Sequence, residues 1–362
     1  MIPVTRTFLP PLDDYTTHLE SIWETGQFTN NGPLVKQLGA ALTKALGVRD
    51  LLLVTNGTLA LQLAIKALGV RGEVITTPYS YVATTNSILW EGCVPVFVDV
   101  DPHTFALDPE LIESAITEHT TAILATHVYG YPCDVWRIQQ IAQKHGLKVI
   151  YDAAHAYGVR LHGEPLLNHG DCSTLSFHAT KLFHCGEGGG ILFQDPEVAK
   201  RAFLMSKFGH QGEDDYIDLG INAKMSELHA AMGLAMLPQV ESIIAARRQC
   251  SAWYDECLAG VGLQRPKVVE GLEYNYAYYP VVFDTPEAMQ KARSALQARD
   301  VYPRRYFHPS LNTLPFLPEP LKRACPVSES LAQRVLSLPL YTALTRPEVE
   351  MISTCIKHTL AA

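Results

Sequence analysis

No basic segment followed by an apolar stretch opens the chain, and no run of about 18 apolar residues occurs in it. Neither a secretion signal nor a membrane span is therefore expected, and the protein reads as soluble and cytoplasmic. Charge is sparse as well: 18% of residues are charged, the formal net charge is −8, and no long run of either sign marks a tail. A chain with a pI near 5.9 lacks the basic footprint that nucleic acid requires. The eight cysteines are scattered with no CxxC pair, which excludes a dense disulfide framework and leaves buried free thiols. Also missing are an HExxH, a GxGxxG opening a helix after the first strand, and a GK[ST] phosphate loop.

What is present is apolar residues, 47% of 362, enough to bury a large core and by length to fill about two domains. Short apolar runs recur from about residue 50 to 195: 51–54, 73–75, 94–98, 122–125, 148–151 and 191–193. Amphipathic segments such as 58–68 and 134–145 lie between them. Continuous apolar strands separated by helices are what a mostly parallel sheet covered on both faces needs. The expected fold is α/β: a large mostly parallel sheet domain, of a seven-stranded type, over residues 1–240, and a smaller α+β domain over 241–362. A single long helix from Ser226 to about Leu258 is expected to connect them, followed by a strand at 279–283 and helices at 286–299 and 347–359.

Three places carry chemistry. Asp152 ends the run Val149-Ile150-Tyr151, at the carboxyl end of a buried strand where ligands gather in open α/β sheets. A turn or N-cap aspartate would look the same. Lys181 closes Ser176-Phe177-His178-Ala179-Thr180-Lys181, just past a strand and before Gly186-Glu187-Gly188-Gly189-Gly190; taken alone it would pass for a solvated lysine. Asn56-Gly57-Thr58 stands where a strand ends and a helix begins, so that free N–H groups and the helix dipole suit a phosphate, although Asn56 or Thr58 also suits ordinary capping. Together they supply what pyridoxal 5′-phosphate requires: an amine for a Schiff base, a carboxylate at the pyridine nitrogen and donors for the phosphate.

With these residues on the page, the chain resembles the DegT/DnrJ/EryC1/StrS sugar aminotransferases, within the fold type I group of pyridoxal-phosphate enzymes. The resemblance runs from Gly32-Pro33 through Asn56-Gly57-Thr58, Pro78-Tyr79-Ser80-Tyr81, Asp152-Ala153-Ala154-His155, Ser176 to Lys181 and Glu187-Gly188-Gly189 to Gly220-Ile221-Asn222. It implies that Lys181 is the Schiff-base lysine, that Asp152 pairs with the pyridinium nitrogen and that His155 sits near the ring hydroxyl. It also puts Tyr81 against the cofactor ring, and Asn56, Gly57, Thr58 and Ser176 around the phosphate. Asn222 matches a position the family donates from the neighbouring subunit, which implies a homodimer with shared active sites. The family often has Gln where this chain has His155, and Arg where it has Lys224. Relatives with His at the Schiff-base position are dehydratases; here that position is Lys181.

The implied reaction moves an amino group from L-glutamate to a nucleotide-linked keto sugar, with pyridoxamine 5′-phosphate as the form between half-reactions. The runs around Asn31, Gly209 to Asp215, and Pro303 to His308 look like those of enzymes acting at C4 of dTDP-4-keto-6-deoxyglucose in amino sugar and surface polysaccharide synthesis. C3 of a dTDP-3-keto sugar and C4 of a UDP sugar are the alternatives. Substrate contacts are expected from Asn31, Lys224, Arg304, Arg305, Tyr306 and His308, with a guanidinium suited to the diphosphate. Two rivals stand beside this reading. A metal-dependent hydrolase would use His155, His178, His184 and Asp152, but no paired ligand spacing supports it, and no metal is expected. A non-catalytic sugar-nucleotide-binding protein would not need Lys181 and Asp152 together.

Overall fold

The computed structural model describes residues 1–361. Its central sheet has seven strands: β1 (Leu52–Val54), β2 (Glu73–Thr76), β3 (Val94–Phe97), β4 (Thr120–Thr126), β5 (Lys148–Asp152), β6 (Cys172–Ser176) and β7 (Gly189–Phe193). They lie in the order β1-β7-β6-β5-β4-β2-β3. Only β7 runs against its neighbours; the rest of the sheet is parallel.

The apolar runs are explained by what each face meets. Leu53, Ile75, Ile123, Val149 and Tyr151 pack into one core. Their immediate neighbours Val54, Val74, Leu124 and Ile150 pack into a second core on the opposite face. Successive side chains of a strand point to opposite faces, so a sheet buried on both sides needs apolar residues at every position. The first face is covered by the helices Pro33–Leu46, Val135–His145 and Glu227–Met236. The second is covered mainly by the helix Gly57–Ala67.

β6 is the strand least like the others in sequence, Cys-Ser-Thr-Leu-Ser, yet all but Ser176 is buried. Its position between β5 and β7 decides its burial. The single helix expected from 226 to 258 is instead two, Glu227–Met236 and Val240–Cys257, joined by a 3₁₀ turn Leu237–Gln239. Pro238 has no N–H to donate and crowds the preceding turn, which breaks the α-helical ladder there. This stretch, 227–257, alone among the described residues reaches the length and apolarity of a membrane-spanning helix, and its first half packs between Leu12–Thr25 and Pro33–Leu46.

Beyond it, β8 (Tyr279–Val282) pairs antiparallel with β9 (Val335–Leu338). The helices Val240–Cys257, Pro286–Gln297 and Arg346–Ala361 close a third core around Tyr254, Val281, Leu296, Leu336 and Ile352. The N-terminal Ile2–Pro3 pairs in parallel with Val301–Tyr302, tying the start of the chain to this unit.

Candidate active site

The carboxyl ends of β1, β5 and β6 open onto one cleft of about 980 Å³. Asp152, the last residue of β5, is buried at its floor. Its Oδ2 accepts from the Thr84 hydroxyl at 2.7 Å and its Oδ1 from the Ala154 N–H at 3.1 Å. Behind Thr84 the Ser80 hydroxyl stands 2.7 Å from its oxygen, and the Thr126 hydroxyl donates to Ser80 at 3.0 Å. Thr84 can give its one proton to Asp152 only by accepting from Ser80, so the three hydroxyls form a relay pointing at the carboxylate. Burial raises the Asp152 pKa, and Thr84, the Ala154 amide and Lys181 pull it back.

Lys181 is held in the connection from β6 to β7. Phe177 and Ala179 donate their amides to Gly188 and Gly186 at 2.8 Å each, and Lys181 donates its own to His178 at 2.8 Å. Phe177 packs edge-on against Phe183 at 5.1 Å, and Tyr157 stacks on Phe183 at 4.9 Å, which anchors the turn on both sides of the lysine. Burial lowers the Lys181 pKa, opposed first by Asp152 and then by Tyr306 and Tyr81. A larger share of its amine is thereby neutral near pH 7 than in an ordinary lysine, as a nucleophile or base requires.

The third wall is the N-terminus of the helix Gly57–Ala67. The Asn56 side chain accepts from the Leu59 N–H at 2.9 Å, so that side chain is an ordinary cap. The first-turn amides of Gly57 and Thr58 have no carbonyl partner within the helix and face the cleft together with Ser176. The glycines nearby serve close approach rather than phosphate wrapping. A Cβ on Gly57 would stand 2.9 Å from the Ser176 Cβ, and one on Gly189 would stand 2.5 Å from the Asn56 carbonyl oxygen. Thr55, in the same wall, keeps a buried hydroxyl oxygen with no partner among the described residues. An amine, a buried carboxylate and a helix N-terminus with a hydroxyl beside it, all on one cleft, fit pyridoxal phosphate group by group.

His155 is fixed by residues that no motif announced. Its Nδ1 accepts from the Tyr129 N–H at 3.1 Å, which leaves the ring proton on Nε2. Tyr129 adopts the left-handed backbone conformation, φ 57°, in presenting that amide. Phe307 stacks on the imidazole at 5.5 Å and Tyr278 meets it edge-on at 4.9 Å. Burial, and then Lys181, hold its pKa well below the usual histidine value, so the ring is neutral and donates through Nε2.

Of the other candidate residues, Tyr81, Arg304 and Tyr306 also line the cleft. Tyr81 is largely exposed at its rim. Arg305 instead turns to the Ala332 carbonyl and the Gln333 side chain, 3.1 Å from each, and with His308 lines an adjoining cavity of about 510 Å³. Asn31 and Lys224 line a separate cavity of about 900 Å³, while Asn222 accepts from Lys224 Nζ at 2.5 Å; none of the three lines the Lys181 cleft. Thr84, Thr126, Tyr129, Tyr278 and Phe307 are site residues that sequence reasoning missed. Thr84, at i+4 from Ser80 on the strand-to-helix turn, is the one with a local signal.

A family model for the DegT/DnrJ/EryC1/StrS aminotransferases matches residues 13–357. The chain is 41% identical to a dTDP-4-amino-4,6-dideoxy-D-glucose transaminase of Shigella dysenteriae, covering 98% of each, and 38% identical to one of Escherichia coli, covering 97% of each. Among solved structures it superposes on DesI in the presence of its TDP-sugar product with a TM-score of 0.93 and 32% identity, covering 99% of this chain and 93% of that one.

Proposed function

This chain belongs to the DegT/DnrJ/EryC1/StrS aminotransferase family, and we propose that within it the protein moves the amino group of L-glutamate onto C4 of dTDP-4-keto-6-deoxy-D-glucose, giving dTDP-4-amino-4,6-dideoxyglucose. It is a pyridoxal-phosphate-dependent aminotransferase of nucleotide-linked keto sugars. The observation that carries the choice of acceptor is similarity to two transaminases of that name along almost the whole of both chains.

The bound cofactor supplies an electron sink for the carbon that loses its proton. The chain's own residues do the rest. Lys181 would hold the cofactor, and its amine, with a pKa lowered by burial, would serve as the base that takes the proton from the donor's α-carbon. Asp152 would keep the proton on the pyridine nitrogen through a charge-assisted hydrogen bond worth roughly 1.5–3 kcal/mol. His155, with its proton on Nε2, would be the residue to donate to the ring hydroxyl. Gly57, Thr58 and Ser176 would hold the phosphate, and Tyr81, on the same cleft, would lie against the ring. Asn222, bonded to Lys224, completes the site of a second copy in a homodimer, in the cytoplasm where glutamate and sugar nucleotides are at hand.

The test is product analysis. Holoenzyme with L-glutamate is offered the dTDP-4-keto sugar, a dTDP-3-keto sugar and a UDP-4-keto sugar, and each product is identified by mass and NMR. The expected result is rapid formation of the 4-amino dTDP sugar alone; amination confined to either other acceptor overturns the choice.

A further inference from the structure

Two tyrosines of the sheet domain converge on one peptide group of the smaller unit. Tyr79 stands between β2 and the helix Val82–Trp90, and Tyr129 lies just past β4. Both are fully buried. Their hydroxyl oxygens are 2.8 Å apart, and the Tyr129 hydroxyl donates to the Tyr306 carbonyl. A phenol has one proton, so Tyr129, having given its own to Tyr306, accepts from Tyr79. Burial raises the Tyr79 pKa, and the Tyr129 hydroxyl and then the Phe307 N–H pull it back, which puts that N–H at the Tyr79 oxygen. The chain of donors starts and ends on the same peptide group, the one between Tyr306 and Phe307.

The segment is anchored on either side of that peptide. Arg304 donates its N–H to the Ser337 carbonyl at 3.2 Å and accepts from the Ser337 N–H at 2.7 Å, and the Leu311 N–H donates to the Pro78 carbonyl at 2.8 Å. Between those anchors, Phe307 stacks on His155 at 5.5 Å and on Tyr129 at 5.6 Å, while Tyr306 lines both the Lys181 cleft and the adjoining cavity of about 510 Å³. A peptide group free to swing would move both rings at once. Neither Tyr79 nor Tyr129 lines the cleft, so each can reach the reaction only through what it holds.

We infer that Tyr79 and Tyr129 are positioning residues: their hydroxyls grip the peptide group between Tyr306 and Phe307, setting Tyr306 on the wall shared by the two cavities and Phe307 against His155. The kinetic consequence rests on the reading of the acceptor as a sugar nucleotide. An acceptor that reaches from Lys181 into the adjoining cavity passes Tyr306, whereas 2-oxoglutarate, the keto acid that L-glutamate leaves, is contained in the cleft. A purely structural pair would give up stability on losing a hydroxyl and leave the acceptor's KM where it was.

The experiment compares holoenzyme with Tyr129→Phe and Tyr79→Phe at equal cofactor loading. Each substitution keeps the ring and the Tyr129 amide bond to His155 and removes one hydroxyl. The KM for the keto sugar nucleotide should rise about two- to tenfold in each variant, the range of a neutral hydrogen bond, with kcat and the half-reaction of 2-oxoglutarate within about twofold of the parent. The cofactor's visible circular dichroism, which needs no acceptor, should change in both as Phe307 comes off His155. Either variant decides alone if the other fails to keep the cofactor; loss of the cofactor from both makes the pair structural and overturns the grip. Lower urea midpoints beside the parent's KM and dichroism overturn it too, as does an equal rise in KM for 2-oxoglutarate. A parent that aminates no keto sugar nucleotide sinks the acceptor reading by itself; altered dichroism in the variants would then still uphold the grip, and unaltered dichroism would overturn it.

Discussion

Replacing Thr84 by Val keeps the shape of a buried side chain and removes one hydroxyl, the one that donates to Asp152 Oδ2 at 2.7 Å. A hydrogen bond to a charged group contributes roughly 1.5–3 kcal/mol, and each 1.36 kcal/mol is about one pKa unit. The Asp152 pKa, already raised by burial, should therefore rise by about one to two further units. The sign follows from which form the bond favours. Thr84 stabilises the ionised carboxylate, so without it Asp152 takes up a proton at higher pH and loses its hold on the pyridinium sooner as pH falls. Single-turnover bleaching of the cofactor band by L-glutamate, followed from pH 5 to 9, should show the acid limb moved up by about that amount, with the plateau changed less. The Ser80 hydroxyl, left without its acceptor, adds a stability loss of about 1–3 kcal/mol that urea unfolding reads separately. An acid limb within a few tenths of a unit of the parent's, at full cofactor loading, would refute the relay as the device that keeps Asp152 ionised.

Three further outcomes are expected. Asp152→Asn keeps the volume and removes the charge, which should cost one to two decades in the donor half-reaction at pH 7.5 by stopped-flow absorbance. Gly189→Ala drives a Cβ to 2.5 Å from the Asn56 carbonyl, so β1 and β7 must part. Urea unfolding should report a loss of about 1–3 kcal/mol, and equilibrium dialysis a weaker hold on pyridoxal phosphate. Burial holds His127 down to about 3 and His155 well below its usual value, so both are neutral in the fold. The unfolded chain protonates each near pH 6.5, so stability falls as pH drops below that point, by about 1.4 kcal/mol per unit for each histidine. His127→Gln should flatten that decline by about one histidine's share in urea titrations between pH 7.5 and 5.

The strands facing two cores were legible because burial on both sides leaves no polar alternation to confuse. β6 was harder, since Ser173 and Thr174 are buried by neighbours that the local sequence does not name. Pro238 carried the break in the long helix in plain view, but apolar periodicity on both sides of it outweighed that signal. In the site, Lys181, Asp152 and the Gly57 turn stood out because each sits at a strand end with a distinctive neighbour. The residues that tune them did not. Tyr129 lends a backbone amide, Phe307 and Tyr278 come from more than 100 positions away, and such contacts leave no local pattern. Arg304 and Arg305 look alike in sequence; only the fold puts Arg304 on the Lys181 cleft and sets Arg305 against Ala332 on the adjoining cavity.

The central claim is that the cleft around Lys181 is where the amino group changes hands, and peptide mapping tests it most directly. Holoenzyme is reduced with borohydride to fix the cofactor to its lysine, digested, and the modified peptide sequenced by mass spectrometry, in parallel with Lys181→Ala. The account predicts the added mass on Lys181 alone, lost together with amino transfer in the variant. The same mass on another lysine, or undiminished transfer by Lys181→Ala, would contradict it.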